Sequence, residues 1–332
     1  MPLLAVTLML ALVGCGNAAT PVGSGGTLNE NSADAPNVAP AERIAVGPVS
    51  FTDSLGYEVR VEDPQRVVAC MGSFANIWEL AGGTLVGASD DAFGDYGLAS
   101  EGIAKIGDFT APNIEAIIAL DPDLVIMTGI STGRAGAASQ TDLRQTLVDS
   151  GIPVAYFNVT TFPDYLEMLR ICCEITGRDD LFAEYGEAVA ARIEAITAAV
   201  PAASSGTAPR VLTMIPYSGG IRVQGSETQT GAIFADLGVT NLTDENPSLL
   251  RDFSLEAVID LNPDYIFVLP MGFSDEETKR ALEAATSANP AWNTLSAIQN
   301  GHYYLLEKEY FLYKPNNRWD KSYEILFKHL YG

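Results

Sequence analysis

Few residues in this chain are placed to do covalent chemistry. Gly129-Ile130-Ser131-Thr132-Gly133 matches the G-x-S-x-G pattern of a nucleophile elbow and follows an apolar run that reads as a strand. An elbow runs directly into a helix, whereas RAGAASQT intervenes here before a helix is plausible, and no HGGG-type oxyanion motif accompanies it. An α/β hydrolase using Ser131, with His302 as base, is the alternative from the enzyme class; the chain is otherwise read as no enzyme. The only histidines are His302 and His329, both near the C-terminus, so the several imidazoles of a zinc or manganese capture site are not available, and no metal ligands are assigned. Cys70, Cys172 and Cys173 form no C-x-x-C pair. Adjacent cysteines on a helix point apart and do not pair easily, so all three read as small buried apolar residues. There is no phosphate-binding loop and no dinucleotide fingerprint, and no cofactor is expected.

What remains is chemistry of recognition. Aromatic residues crowd the segments around the apolar runs: Phe74, Phe93, Tyr96 and Phe109 in the first half, and Tyr217, Phe253, Tyr310, Phe311 and Tyr313 in the second. Arg251, Lys314 and Arg318 stand among them, and Arg134 lies in GISTGRAG. Aromatic faces suit a large, flat or partly apolar ligand, and a few cations suit a negatively charged chelate.

Two acidic residues form a separate pair. IEAIIALDPDLVIM, starting at Ile114, is echoed by LEAVIDLNPDYIFVL, starting at Leu255, so that Glu115 aligns with Glu256 and Asp123 with Asp264. Each copy reads as a helix, an Asx-Pro-Asp turn and a buried strand, because proline cannot continue a helix and biases its predecessor away from helical angles. Asn113 and Ser254 are good N-cap residues, which puts each glutamate at the second helical position. An acidic side chain there gains about 0.3–1 kcal/mol from the helix dipole, and that alone would account for each glutamate taken singly.

The elements that must carry these residues follow from pattern and composition. The 332 residues, 47% of them apolar, suffice for two domains with cores of their own. A formal charge of −23 argues against nucleic acid and against attraction to anionic lipid surfaces. Residues 1–15 carry an apolar run ending in Leu12-Val13-Gly14-Cys15, too short to span a bilayer with ease and shaped like a secretory signal. Residues 16–48 are rich in Gly, Ala, Ser, Asn and Pro and read as a flexible tether. From 49 to 178 short apolar runs alternate with helical patterns, as in an α/β lobe with a mostly parallel sheet. Residues 179–200 read as one long helix, ended by Pro201 and about 33 Å in length, a natural bridge. The alternation resumes over 201–332. The expected fold is therefore α/β, with two similar lobes joined by one long helix and the repeated phrase occurring once in each.

The ordered set of a lipobox-like Cys15, a tether, RVVACMGSFANIWELAGGTLVGAS and IEAIIALDPDLVIM in one lobe, a long helix, and DLGVTNLT and LEAVIDLNPDYIFV in the other resembles the solute-binding lipoproteins of ABC importers for iron–siderophores, haem and cobalamin, the type 2 periplasmic binding proteins. The resemblance covers about residues 49–332. It implies lipidation of Cys15, an extracytoplasmic protein held at the bacterial membrane by that lipid alone, a monomeric receptor, and a cleft between the lobes that holds a metal chelate. Strand C-termini would face this cleft, as in open α/β sheets generally, and the aromatic and cationic residues named above would line it. It further implies one acidic residue per lobe that docks on arginines of the permease, which works with a separate ATPase; the matching positions are Glu115 and Glu256.

Overall fold

A computed structural model of the chain describes residues 47–130, 139–204, 206–217, 220–271, 274–286 and 289–332. Cys15, nearly all of the expected tether, Ser131 and Arg134 lie outside the described residues.

A short antiparallel hairpin, β1 (Val49–Thr52) and β2 (Glu58–Val61), precedes the first lobe. Its alternation of buried and exposed residues is that of a strand pair with one face on the core. The first lobe is built on five parallel strands: β3 (Val67–Ala69), β4 (Leu85–Ala88), β5 (Ala104–Lys105), β6 (Leu124–Thr128) and β7 (Val154–Phe157), in the order β5-β4-β3-β6-β7. Every residue of β3, β6 and β7 is buried, as expected when helices cover both faces of a parallel sheet. The second lobe repeats the plan with β8 (Arg210–Tyr217), β9 (Gly220–Val223), β10 (Thr240–Asn241), β11 (Tyr265–Val268) and β12 (Tyr303–Leu305). The parallel order is β10-β8-β11-β12, with β9 folded back antiparallel on the end of β8.

The doubled phrase occupies the same place in each lobe. Helix Ile114–Ala119 leads into β6, which pairs with β3, and helix Leu255–Leu261 leads into β11, which pairs with β8. Asp121 and Asn262 both take left-handed backbone angles, with φ of 46° and 45°, a conformation that Asp and Asn tolerate because their side chains bond locally. The second aspartate of each copy then ties the turn to the start of the lobe's first strand. Asp123 accepts the Gln65 and Arg66 N–H groups at 2.7 and 2.8 Å, and Asp264 accepts the Arg210 N–H at 2.9 Å. The guanidinium groups close the clamp: Arg66 Nε donates to the carbonyls of Leu120 and Asp121, each at 3.0 Å, and Arg210 Nη1 donates to that of Leu261 at 2.8 Å. Both arginines satisfy carbonyls that a helix end leaves without partners.

The bridge differs from a single regular helix ending at Val200. It runs as Asp179–Phe182, a π-helical turn Ala183–Glu187, and a helix Ala188–Ala203 that continues through Pro201. Proline removes only its own N–H bond here; the chain beyond it still finds an acceptor one turn back, Ser204 N–H bonding Val200 O at 2.9 Å. In the π turn, the Tyr185 carbonyl accepts from the Tyr165 hydroxyl at 2.9 Å, the kind of insertion that accompanies such bulges. The closing helix Trp319–Tyr331 lies along this bridge, with an Arg192–Asp320 ion pair between them.

One buried apolar cluster extends through both lobes. It contains Phe157 and Phe162 from the first, Trp319 and Tyr323 from the closing helix, and Phe234 and Phe267 from the second. The opposite face of each sheet has a smaller cluster of its own. Lobes that share a continuous core resist the free rotation seen across small polar domain contacts. The three cysteines are free and buried in these clusters, and burial pushes the Cys70 thiol well above its ordinary range. Among the described residues no helix is long and apolar enough to cross a membrane.

Candidate functional site

The C-terminal ends of the two parallel sheets carry the candidate binding residues. In the second lobe Tyr217 is the last residue of β8, and the hairpin to β9 brings Arg222 back beneath it, the guanidinium 4.6 Å from the ring centroid. Tyr217, Arg222, Leu249, Arg251, Asp252 and Phe253 belong to the lining of a cavity of about 520 Å³. Three of the expected contacts, Tyr217, Arg251 and Phe253, are thus brought together although 36 residues separate the first from the last in sequence. Arg222 was missed by sequence reading. Its signal was present in PYSGGIRV, a Gly-Gly pair between apolar runs, which favours a hairpin and so returns the next strand to the end of the first.

In the first lobe residues Asp90–Gly94 of SDDAFGDYG form a short helix after β4. Ser89 and the two aspartates that follow suit a helix start, where unpaired N–H groups attract negative charge. Phe93 is half-buried, and Lys105 at the end of β5 stands over its ring at 5.1 Å. Phe109 is half-buried and held from behind: its carbonyl accepts from Gln140 Nε2 at 2.7 Å. The same amide donates to Cys70 O at 2.8 Å and accepts the Thr128 N–H at 2.9 Å. Gln140, 1% exposed, therefore fixes three loop ends of the first sheet at once. A glutamine inside a polar stretch gives no sequence signal of this.

The lobes meet at the floor between these two halves. Tyr96 and Tyr313 lie with ring centroids 6.4 Å apart, and the Lys314 N–H donates to the Tyr96 hydroxyl at 2.9 Å. Asn316 Nδ2 donates to Ser73 O at 3.0 Å and to Asn76 Oδ1 at 2.8 Å. The Lys314 ammonium is largely buried; desolvation pulls it down to about 8, against the opposing pull of Asp164. Asp164 is already engaged by Thr160 and Thr161 at the start of helix Phe162–Thr176. Tyr310 is half-buried under Arg318, whose guanidinium is 5.2 Å from the ring and ion-paired with Glu309 at 2.7 Å. Arg318 thus already has a carboxylate partner.

Two expected ligand contacts are core residues instead. Phe74 is 1% exposed and packs edge-on against Phe157, and Phe311 is 2% exposed in the cluster shared by the lobes. Both follow a strand end, but each is turned inward by the helix it sits in, where an apolar ring gains more from burial than from water. The imidazoles lie away from the site as well. His302 precedes β12 and stacks on Tyr265 at 4.3 Å, and His329 stacks on Tyr304 at 3.9 Å. His302 is thereby at the strand end opposite to that of Gly129. Among the described residues no three His, Cys, Asp or Glu side chains are grouped to hold a metal ion.

Glu115 and Glu256 are both exposed at the second position of their helices. The caps form as the sequence predicts: Asn113 accepts from the Ala116 N–H at 2.9 Å, and Ser254 from the Ala257 N–H at 3.2 Å.

Comparison with known proteins gives one family model, described as periplasmic binding protein, that matches residues 67–310. Among curated proteins the chain is similar to the iron(3+)-hydroxamate-binding protein FhuD of Bacillus subtilis (strain 168), at 27% identity over 260 residues, or 74% of each chain. It is also similar to the high-affinity heme uptake system protein IsdE of Staphylococcus aureus (strain MRSA252), at 28% over 124 residues, covering 36% of this chain and 42% of that one. Among solved structures, that of Staphylococcus aureus SirA complexed with staphyloferrin B superposes with a TM-score of 0.66 at 17% identity, over 85% of this chain and 98% of the other.

Proposed function

The chain belongs to the periplasmic binding protein family, and from that premise we propose that it is the substrate-binding component of an ABC importer, capturing a metal chelate between its lobes and releasing it to a membrane permease. The observation that carries this reading is the cavity at the end of β8, where Tyr217, Arg222, Arg251 and Phe253 converge on the side of the sheet at which open α/β folds bind ligands. Iron–siderophore, haem and cobalamin-type ligands belong to the class that such a surface of rings and cations suits. The bound chelate is cargo rather than a cofactor, and the protein's part is recognition without covalent chemistry. Titration of the protein's intrinsic fluorescence with ferric siderophores, haemin and cobalamins is expected to show saturable quenching by at least one of them. Absence of quenching across the whole panel would remove this reading.

The family works outside the cytoplasm. We propose that Cys15 is lipidated and that the segment after it tethers the lobes to the membrane surface, which agrees with a charge of −23 that by itself gives no attraction to anionic lipid. Cys15→Ser is expected to move the protein from the membrane fraction to the soluble one and to end incorporation of labelled fatty acid. Retention of both would show that another feature anchors it.

A further inference from the structure

A second cavity, of about 280 Å³, opens on the outer flank of the first lobe. It lies at the start of β7, the sheet end opposite to the one that carries the candidate binding residues. Arg60 of β2 stands on one wall, Arg144 and Val148 of helix Arg144–Asp149 on another, and Ile152, Pro153 and Val154 on the third. Two strand edges face this space. The Val125 N–H bonds to Pro153 O and the Gly129 N–H to Phe157 O, so alternate residues from Pro153 to Phe157 turn to β6, and Val154 turns its N–H and C=O outward. In the hairpin the Asp53 N–H bonds to Tyr57 O and Thr52 stands opposite Glu58, so Glu58 and Arg60 turn their backbone groups away from β1. Among the described residues none of these outward groups has a backbone partner, and edges of this kind accept an added strand.

The slot between the edges is blind at one end. Asp53 Oδ2 accepts the Tyr156 N–H at 3.1 Å and the Ser54 N–H donates to Tyr156 O at 2.9 Å, so the hairpin already occupies the edge of β7 beyond Val154. The Arg144 guanidinium stands near that end, 3.6 Å from the centroid of the Tyr57 ring, and its Nε is buried with no hydrogen-bond partner among the described residues. A ring holds a cation in place without neutralising it. Glu58, the one carboxylate of the lining, accepts from the Thr52 hydroxyl across the hairpin at 2.6 Å and forms no ion pair with either arginine. Tyr57 and Val148 are 41% and 39% exposed beside the slot, apolar surface that a solvated flank does not require.

We infer that this slot is a second binding site, which takes the C-terminal end of another polypeptide chain. The last residues of that chain extend between β2 and Val154 and bond to both edges, and an apolar side chain rests on Val148, Ile152 and Pro153. The terminal carboxylate meets Arg144, with Arg60 on the facing wall. A chain end fits where a passing segment does not, because the hairpin leaves no way on past Tyr156. No residue lines both this cavity and the one at the end of β8, so occupation of one leaves the other open.

The test titrates the full chain in detergent, by fluorescence polarisation, against fluorescein-labelled tetrapeptides ending in Val, Leu, Phe or Thr, each as the free acid and as the C-terminal amide. At least one free acid is expected to bind saturably, about tenfold more tightly than its amide, and to weaken as salt is raised. N-methylation of its peptide nitrogens is expected to cost about tenfold as well, the strand-pairing bonds being lost. Butyrate, a carboxylate with no backbone to pair, is expected to compete far less well than the unlabelled acid. Arg144→Gln and Arg60→Gln are each expected to weaken the acid about tenfold and to leave quenching by ferric chelates unchanged; Arg60 is exposed, so its replacement removes no packing. Binding by none of the free acids, equal binding of acid and amide, tolerance of N-methylation, butyrate competing as well as the peptide, or undiminished binding in both variants overturns the inference.

Discussion

Replacing Glu115 and Glu256 together by alanine is expected to abolish uptake of the ligand by cells while leaving its affinity for the purified protein unchanged. Both carboxylates are exposed on the first turn of equivalent helices, one in each lobe. Neither belongs to the lining of the cavity at the end of β8. The helix-dipole account predicts something much smaller: about 0.3–1 kcal/mol of stability per glutamate and no effect on transport. The docking account predicts the loss of two charge pairs with the permease, each worth about 2–5 kcal/mol when one partner is truncated, which is enough to reduce complex formation more than a hundredfold. Each single variant is expected to fall between. Ligand affinity by fluorescence and uptake of radiolabelled chelate, measured on the same variants, separate the two accounts. Undiminished uptake in the double variant means that the dipole explanation is sufficient.

Lys314→Met is expected to stabilise the fold. The lysine's folded-state value of about 8 lies below its ordinary 10.5 because desolvation penalises the ammonium more than Asp164 supports it. The sign follows from proton linkage. Between about pH 8 and 10.5 the unfolded chain binds more protons than the folded one, so stability rises with pH across that window, and the gain is lost again as pH falls through 8. At pH 7 both states are charged and the full penalty applies, on the order of 3 kcal/mol from a displacement of this size. Urea unfolding of the Met variant at pH 7 should therefore show a higher midpoint. The difference between the two proteins should shrink from pH 8 to 10.5; taking the difference cancels the tyrosines that titrate at its upper end. Identical stabilities at pH 7, or a difference that does not change over this window, would show that the ammonium is not penalised.

Much of the architecture was legible in the sequence because it rests on local rules. The alternation of apolar runs and helical patterns marks the principal parallel strands of both sheets. Asn113 and Ser254 cap the helices they precede, and the Asx-Pro-Asp turns stop those helices. Such features depend on a few neighbouring residues and survive without knowledge of the rest of the chain. The short edge strands β5 and β10, with two residues each, and the π turn at Ala183–Glu187 were not legible. Their existence depends on what lies next to them in space.

The same division holds at the site. The sequence by itself determined that the chain has two like lobes, that one exposed glutamate opens an equivalent helix in each, and that rings and cations gather after the strands. Only the tertiary structure decided which of those residues are available. Phe74 and Phe311 were claimed by the core, Arg318 by Glu309, and the histidines by tyrosine rings. Arg222 was delivered to Tyr217 and Arg251 by a hairpin, and Lys314 was placed beneath Tyr96 across a sequence separation of 218 residues. Burial and charge pairing are properties of neighbours in space, and a pattern along the chain fixes only the direction in which a side chain leaves its own element.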